Sequence, residues 1–198
     1  VVSTPVTCTA TNAPLANRGA RILWADVDPR TGLISPADVY QLCKDYDVAA
    51  IVAVDWAGSS CDYQVLKGFG PPVIQDAAHR YYPGAFGEGA HTGIGDYVAH
   101  SFQAIKHLTC GDGGSLYVPR RDEKLAELLR WYGLDRKSSA SFRCAQTAPV
   151  AGFKYHLNDI AAVIGLSNMN LAAGNVIASQ ECALEYQQEL DIPLRSAL

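Results

Sequence analysis

The stretch VAAIVAVDW, Val48–Trp56, decides the fold. Its apolar run is too short to make a helix of its own. It suits a strand buried on both faces, which is the position of a strand inside a parallel sheet. Just ahead of it, SPADVYQLCKDYD (Ser35–Asp47) reads as a helix. Ser35 is placed as N-cap and Pro36 at the first helical position, with Val39, Leu42 and Cys43 as the apolar face. Earlier still, ARILWADVD (Ala20–Asp28) is rich in strand formers and ends in the turn DPRTG.

Beyond Trp56 the same alternation continues. PPVIQDAAH gives a short strand ending at Asp76, GDYVAHSF another, and GGSLYVP a further one. RDEKLAELLRWYG (Arg121–Gly133) reads as a helix with Leu125, Leu128 and Leu129 inward and Gly133 as its stop. Asn158–Leu190 is a long helical pattern capped by Asn158, in which Gly165 and Gly174 allow a kink or close packing. Strands alternating with helices predict an α/β domain with a mostly parallel sheet and flanking helices. In such sheets, ligands sit beyond the carboxyl ends of the strands.

The bulk properties agree with a globular domain. The chain has 198 residues, 48% hydrophobic and 18% charged, with a formal net charge of −4. Charges are interspersed and no basic run occurs, which argues against a nucleic-acid partner. No uninterrupted apolar run approaches the ~20 residues of a membrane helix, so no membrane association is expected. The start, VVSTPVTCTAT, lacks the pattern of a signal peptide. Six cysteines are scattered without CxxC spacing, which disfavours a zinc site and fits reduced thiols in a cytoplasmic protein.

Three groups are expected near strand ends. Asp76 closes an apolar strand, where a carboxylate needs a partner. Ser101 offers a hydroxyl. Lys106 follows in HSFQAIKHLTCGDGG (His100–Gly114), between Ile105 and Leu108 and before a glycine-rich turn. An apolar setting disfavours the charged amine, and such a lysine can form a Schiff base with an aldehyde. Pyridoxal phosphate would use all three: lysine for the aldehyde, hydroxyl for the phosphate, carboxylate for the pyridine nitrogen. Spacing alone leaves another reading open. Asp76 could cap a turn, Ser101 could be an ordinary strand serine, and Lys106 could extend to water.

Longer motifs narrow this. TPVTCTATNAPLANRGARILWADVDP, PVIQDAAH, HSFQAIKHLTCGDGG and GFKYHLNDIAAVIGLSNM follow one another in the order and spacing of a known family. The chain resembles the DegT/DnrJ/EryC1/StrS sugar aminotransferases, a branch of the fold-type-I pyridoxal-phosphate enzymes, from about Ser3 to Leu190. The resemblance implies the large cofactor-binding domain of that fold. It implies Lys106 as the lysine that bonds the cofactor and shuttles protons, with Asp76 on the pyridine nitrogen. His79 would lie beside the ring and Ser101 on the phosphate. His156, where the family often has asparagine, would reach across a dimer interface towards the partner's phosphate. Cys8 stands where the family usually stacks an aromatic residue on the ring, and so offers less stacking area.

The implied activity is transfer of an amino group, with glutamate as donor, to a nucleotide-linked keto-sugar, by a homodimer. A related sugar dehydratase that works with the pyridoxamine form replaces the lysine with histidine, so Lys106 disfavours it. A third reading is a truncated chain that keeps the fold but is catalytically impaired. The resemblance covers the middle of a family member. The expected organisation is therefore a partial cofactor-binding domain over 1–157, then a long helix over 158–198 leading into a small domain that is mostly absent. His91, in a glycine-rich loop, is expected to be exposed. His100 and the three tryptophans are expected to pack, and His107 to point away from the cofactor.

Overall fold

The computed structural model describes residues 1–81, 95–135, 137 and 147–190. His91 lies outside them. Among the described residues six strands form one sheet, in the order β2-β1-β3-β4-β5-β6. They are β1 (Val2–Ser3), β2 (Leu23–Trp24), β3 (Ile51–Val54), β4 (Val73–Asp76), β5 (Tyr97–Ser101) and β6 (Gly114–Tyr117). Strands β1 to β5 are parallel, and β6 returns antiparallel on β5. The mixed, mostly parallel sheet is the one the sequence predicts.

All four residues of β3 are buried, as expected for a central strand with helices on its faces. Val2, Ile51 and Val73 are fully buried side by side across three strands. Helix α2 (Pro36–Asp45) covers them with Val39, and α3 (Tyr63–Lys67) with Tyr63 and Leu66. The Ser35 hydroxyl accepts from Asp38 N at 3.3 Å, and Pro36 opens the helix, where its missing N–H costs nothing.

Helix α4 (Glu123–Arg130) departs from expectation at one position. Leu128 is buried, but Leu125 is exposed. The helix packs along a narrower stripe than its leucines suggest. Gly133, with φ of 76°, closes it by donating its N–H to Leu128 O at 2.8 Å. Helix α1 (Thr9–Asn17) is not legible from the sequence: its N-cap, Cys8, makes no side-chain cap, and Pro14 sits inside it.

Helix α5 (Asp159–Leu190) runs unbroken through Gly165 and Gly174 for 32 residues. The Asn158 Oδ1 accepts from Ala161 N at 2.9 Å and caps it. By length and composition α5 could cross a membrane. The expectation of no such segment came from uninterrupted runs, and the Asn and Gly residues within α5 hid its average. Its inward seam is made of small and polar residues. Ala161 and Ala172 are buried, and a Cβ on Gly165 would lie 3.3 Å from that of Cys110. Ile160, Val163, Leu166 and Leu171 are exposed instead.

Candidate active site

The register of the sheet brings one set of residues to its carboxyl edge. Val54 stands opposite Asp76, and Asp76 opposite Ala99. Asp55, His79 and Ser101 therefore follow at or just beyond the same edge, where ligands collect in parallel sheets.

Asp76 is held from two sides. Its Oδ1 accepts from Ala78 N at 3.0 Å and its Oδ2 from the Thr11 hydroxyl at 2.6 Å. Thr11 Oγ1 lies 2.8 Å from Thr7 Oγ1. Because Thr11 spends its proton on Asp76, Thr7 is the donor of that second bond. Asn12 ties the same helix to the end of β1, accepting from Ser3 Oγ at 2.6 Å and donating to Thr4 O at 2.9 Å. Reading the residues alone assigned no role to Thr11.

His79 is half-buried. Its Nδ1 accepts from Ala57 N at 3.4 Å, so Nε2 carries the proton of the neutral ring. Burial, and then the Lys106 charge, push its pKa below the usual 6.5, while the Asp76 carboxylate opposes them. Trp56 packs on the ring with centroids 5.1 Å apart. The tight turn that presents Ala57 N–H holds Ala57 at φ 53°, the left-handed region that non-glycine residues seldom adopt.

A buried network supports this edge from below. The Asp55 carboxylate is fully buried and accepts from Tyr63 Oη at 2.6 Å, Gln75 Nε2 at 2.5 Å and Cys61 N at 3.1 Å. Arg80 Nη1 stands 3.5 Å away and donates to Ser60 Oγ at 2.7 Å. Burial pushes the Asp55 carboxyl up against the pull of these donors, and it pushes the Cys61 thiol up to about 12. Both groups are structural.

Lys106 sits on the loop that follows β5. The loop is closed at its base by Phe102 N to Gly113 O at 2.8 Å and Cys110 N to Phe102 O at 2.9 Å. Lys106 N donates to Gln103 O at 2.9 Å, and Gln103 N to the Ser101 hydroxyl oxygen at 3.3 Å. The apolar setting expected of this lysine is only half present. Leu108 is buried, while Ile105 is 83% exposed. His107 turns its Nε2 towards Ser179 on α5, at 3.2 Å, yet it also lines the cleft that holds Lys106.

His79, Ser101 and Lys106 line one cleft, together with Phe102 and the mostly buried His100. Asp76, Cys8 and His156 do not line it. Cys8 is exposed, directly ahead of α1. His156 packs edge-on against Trp131 of the same chain, 3.9 Å between centroids. Among the described residues, Lys106 Nζ has no hydrogen-bond or ion-pair partner. An unpartnered amine, a doubly anchored carboxylate and a hydroxyl share the carboxyl end of a parallel sheet.

A sequence model described as the DegT/DnrJ/EryC1/StrS aminotransferase family matches residues 1–194. The chain belongs to this family. Aminotransferases of this family use pyridoxal phosphate, and the residues present fit that group. Lys106 offers the amine an aldehyde requires, Asp76 an anchored carboxylate, and Ser101 a hydroxyl at a strand end. Among solved structures the chain is similar to AtS13 from Actinomadura melliaura, at 36% identity and a TM-score of 0.80. It is similar to the sugar aminotransferase CalS13 from Micromonospora echinospora, at 33% identity and a TM-score of 0.79. Each match covers 96% of this chain and 53% of the other. A putative sugar aminotransferase, Spr1654 from Streptococcus pneumoniae, shares the fold at 21% identity and a TM-score of 0.77. That match covers 94% of this chain and 54% of the other. The chain thus spans about half the length of the solved structures it matches.

Proposed function

We propose that this chain carries the cofactor-binding part of a pyridoxal-phosphate-dependent sugar aminotransferase. The protein moves an amino group, from glutamate, to a nucleotide-linked keto-sugar. The observation that carries the reading is the convergence of Lys106, His79 and Ser101 in one cleft, beside an Asp76 fixed by Thr11 and Ala78.

When bound, the cofactor supplies an aldehyde for an amine and a ring that withdraws electrons from the carbon losing its proton. The chain's residues supply the rest. Lys106 Nζ would hold the aldehyde, and its amine would serve as general base and acid for the proton that moves. Asp76 would hold a proton on the ring nitrogen, its carboxylate kept aimed by the bond from Thr11. Ser101, whose oxygen accepts from Gln103 N, keeps its own proton for the phosphate. His79, neutral and flanked by Trp56, forms a wall beside the ring.

The remaining assignments rest on the family. Cys8 takes the stacking position. His156 reaches the partner's phosphate in a homodimer, for which the exposed apolar residues of α5 provide contact area. A cytoplasmic setting fits the five described cysteines, all free thiols. We place the boundary of the cofactor-binding domain at 157, just ahead of α5.

The test is the visible absorption spectrum of the chain with added pyridoxal phosphate, beside Lys106→Ala. The expected result is a band that survives dialysis in the parent and is absent in the variant. A spectrum identical in the two proteins would overturn the reading.

A further inference from the structure

Three side chains of α5 reach the loop that carries Lys106. Asn168 Nδ2 donates to Thr109 O at 3.0 Å, and Asn175 Nδ2 donates to His107 O at 3.0 Å. Ser179 Oγ lies 3.2 Å from His107 Nε2. Ser179 gives its own proton to Asn175 O at 2.9 Å, so its lone pairs receive the His107 Nε2–H. Residues 168, 175 and 179 are seven and four apart and lie along one helix face. Between them Ala172 is fully buried, and Gly165 lets the helix backbone approach Cys110.

Within the loop, Ile105 N donates to Gln103 Oε1 at 3.1 Å and Thr109 Oγ1 to Phe102 O at 3.2 Å. Its backbone bonds close the base, at Phe102, Cys110 and Gly113. Apart from its own N–H to Gln103 O, Lys106 is tethered only through its neighbours. The carbonyls of His107 and Thr109 are one and three residues after it, and both end on amides of α5.

We propose that Asn168 and Asn175 are positioning residues for Lys106. By holding the carbonyls of Thr109 and His107, they set where the ε-amine stands in the cleft, and they couple it to the long helix. This rests on the reading of Lys106 as the cofactor lysine. An amine displaced by about an ångström loses much of the advantage of a prepared geometry.

The variants are Asn168→Asp and Asn175→Asp, which keep the shape, remove the donor and set an oxygen against each carbonyl. Asn170→Asp, on the exposed side of the same helix, adds the same charge without touching the loop. The first measurement uses the cofactor-free chain: hydrogen–deuterium exchange across residues 102–113. Each loop variant is expected to exchange about 5–10-fold faster there, the equivalent of one lost hydrogen bond, with β3 and β4 unchanged. The second is the rate of band formation with pyridoxal phosphate and the circular dichroism of that band. The rate is expected to fall about tenfold and the dichroism to change, whereas Asn170→Asp matches the parent. Loop exchange and dichroism equal to the parent in both variants would overturn the proposal. So would equal changes in Asn170→Asp. If a variant does not fold, the other decides; if neither folds, Asn168→Ala and Asn175→Ala replace them under the same criteria. A parent chain that forms no lysine-dependent band refutes the cofactor reading instead, while the exchange measurement still judges the tether.

Discussion

Strand β3 and helix α5 are both strongly apolar, and they use that character in opposite ways. In β3, Ile51 to Val54 are all buried, so hydrophobicity and position agree. In α5, Val163, Leu166 and Leu171 are at least 60% exposed, while Ala161, Gly165, Asn168 and Ala172 face the fold. The strand meets other side chains, and large apolar residues fill that space. The helix meets the backbone of the lysine loop, which offers carbonyl groups and little room. Carbonyls need donors, and a close approach needs small residues. Burial on this helix therefore follows hydrogen-bonding demand.

The sharpest way to break the comparison is to truncate one residue in each region. Ile51→Ala is expected to destabilise the chain by about 2–5 kcal/mol, because it opens a cavity between β1 and β4. Urea unfolding measures it, and a loss below about 1 kcal/mol would mean β3 is not the centre of the core. Thr11→Val removes a bond to a charged carboxylate, worth about 1.5–3 kcal/mol. It is expected to weaken pyridoxal phosphate binding by roughly ten- to a hundredfold in a fluorescence titration. Unchanged affinity would detach Thr11 from the site.

A smaller effect comes from His79. Its folded pKa lies below the unfolded 6.5, so folding favours the neutral ring. The stability from this group is fully present above 6.5 and is lost as pH falls from there through the lowered folded value. His79→Asn is expected to flatten the fall in unfolding free energy over that window. An identical pH profile would show that the ring is not held neutral. The smallest effect belongs to α5. Leu166→Ser, at 67% exposure, should change monomer stability by no more than about 0.5 kcal/mol. A larger loss would mean that its outward face is already covered.

The central strands β3 and β4 were legible because they are short apolar runs with one mode of burial available to them, whereas β1, two residues long, was not read as a strand. The positions of Asp76, Ser101 and Lys106 followed, since chain order fixes which residues stand at strand ends. Contacts between distant segments carried no such signal. Thr11 meets Asp76 across 65 residues, and nothing in either local sequence marks the meeting. Leu125 was expected inward because leucines at helical spacing ordinarily are, yet it is exposed. Helix α1 escaped because Pro14 lies inside it and Cys8 supplies no cap. In α5 no buried face was assigned from the sequence, and the large apolar residues lie outward, since periodicity reports hydrophobicity and not the demand of a neighbouring backbone.

The seam of α5 also fixes the phase of the chain. Each residue advances a helix by about 100°. One residue inserted between Asn158 and Asn168 would rotate everything after it by that angle. Ser167 and Gly174 would then stand opposite the carbonyls of Thr109 and His107, Ile164 and Leu171 would take the tight places of Gly165 and Ala172, and the two asparagines would swing aside. The ten-residue interval from the cap at Asn158 to Asn168 therefore acts as a fixed length. Substitutions on the outer face leave it intact, and a single insertion or deletion within it breaks it.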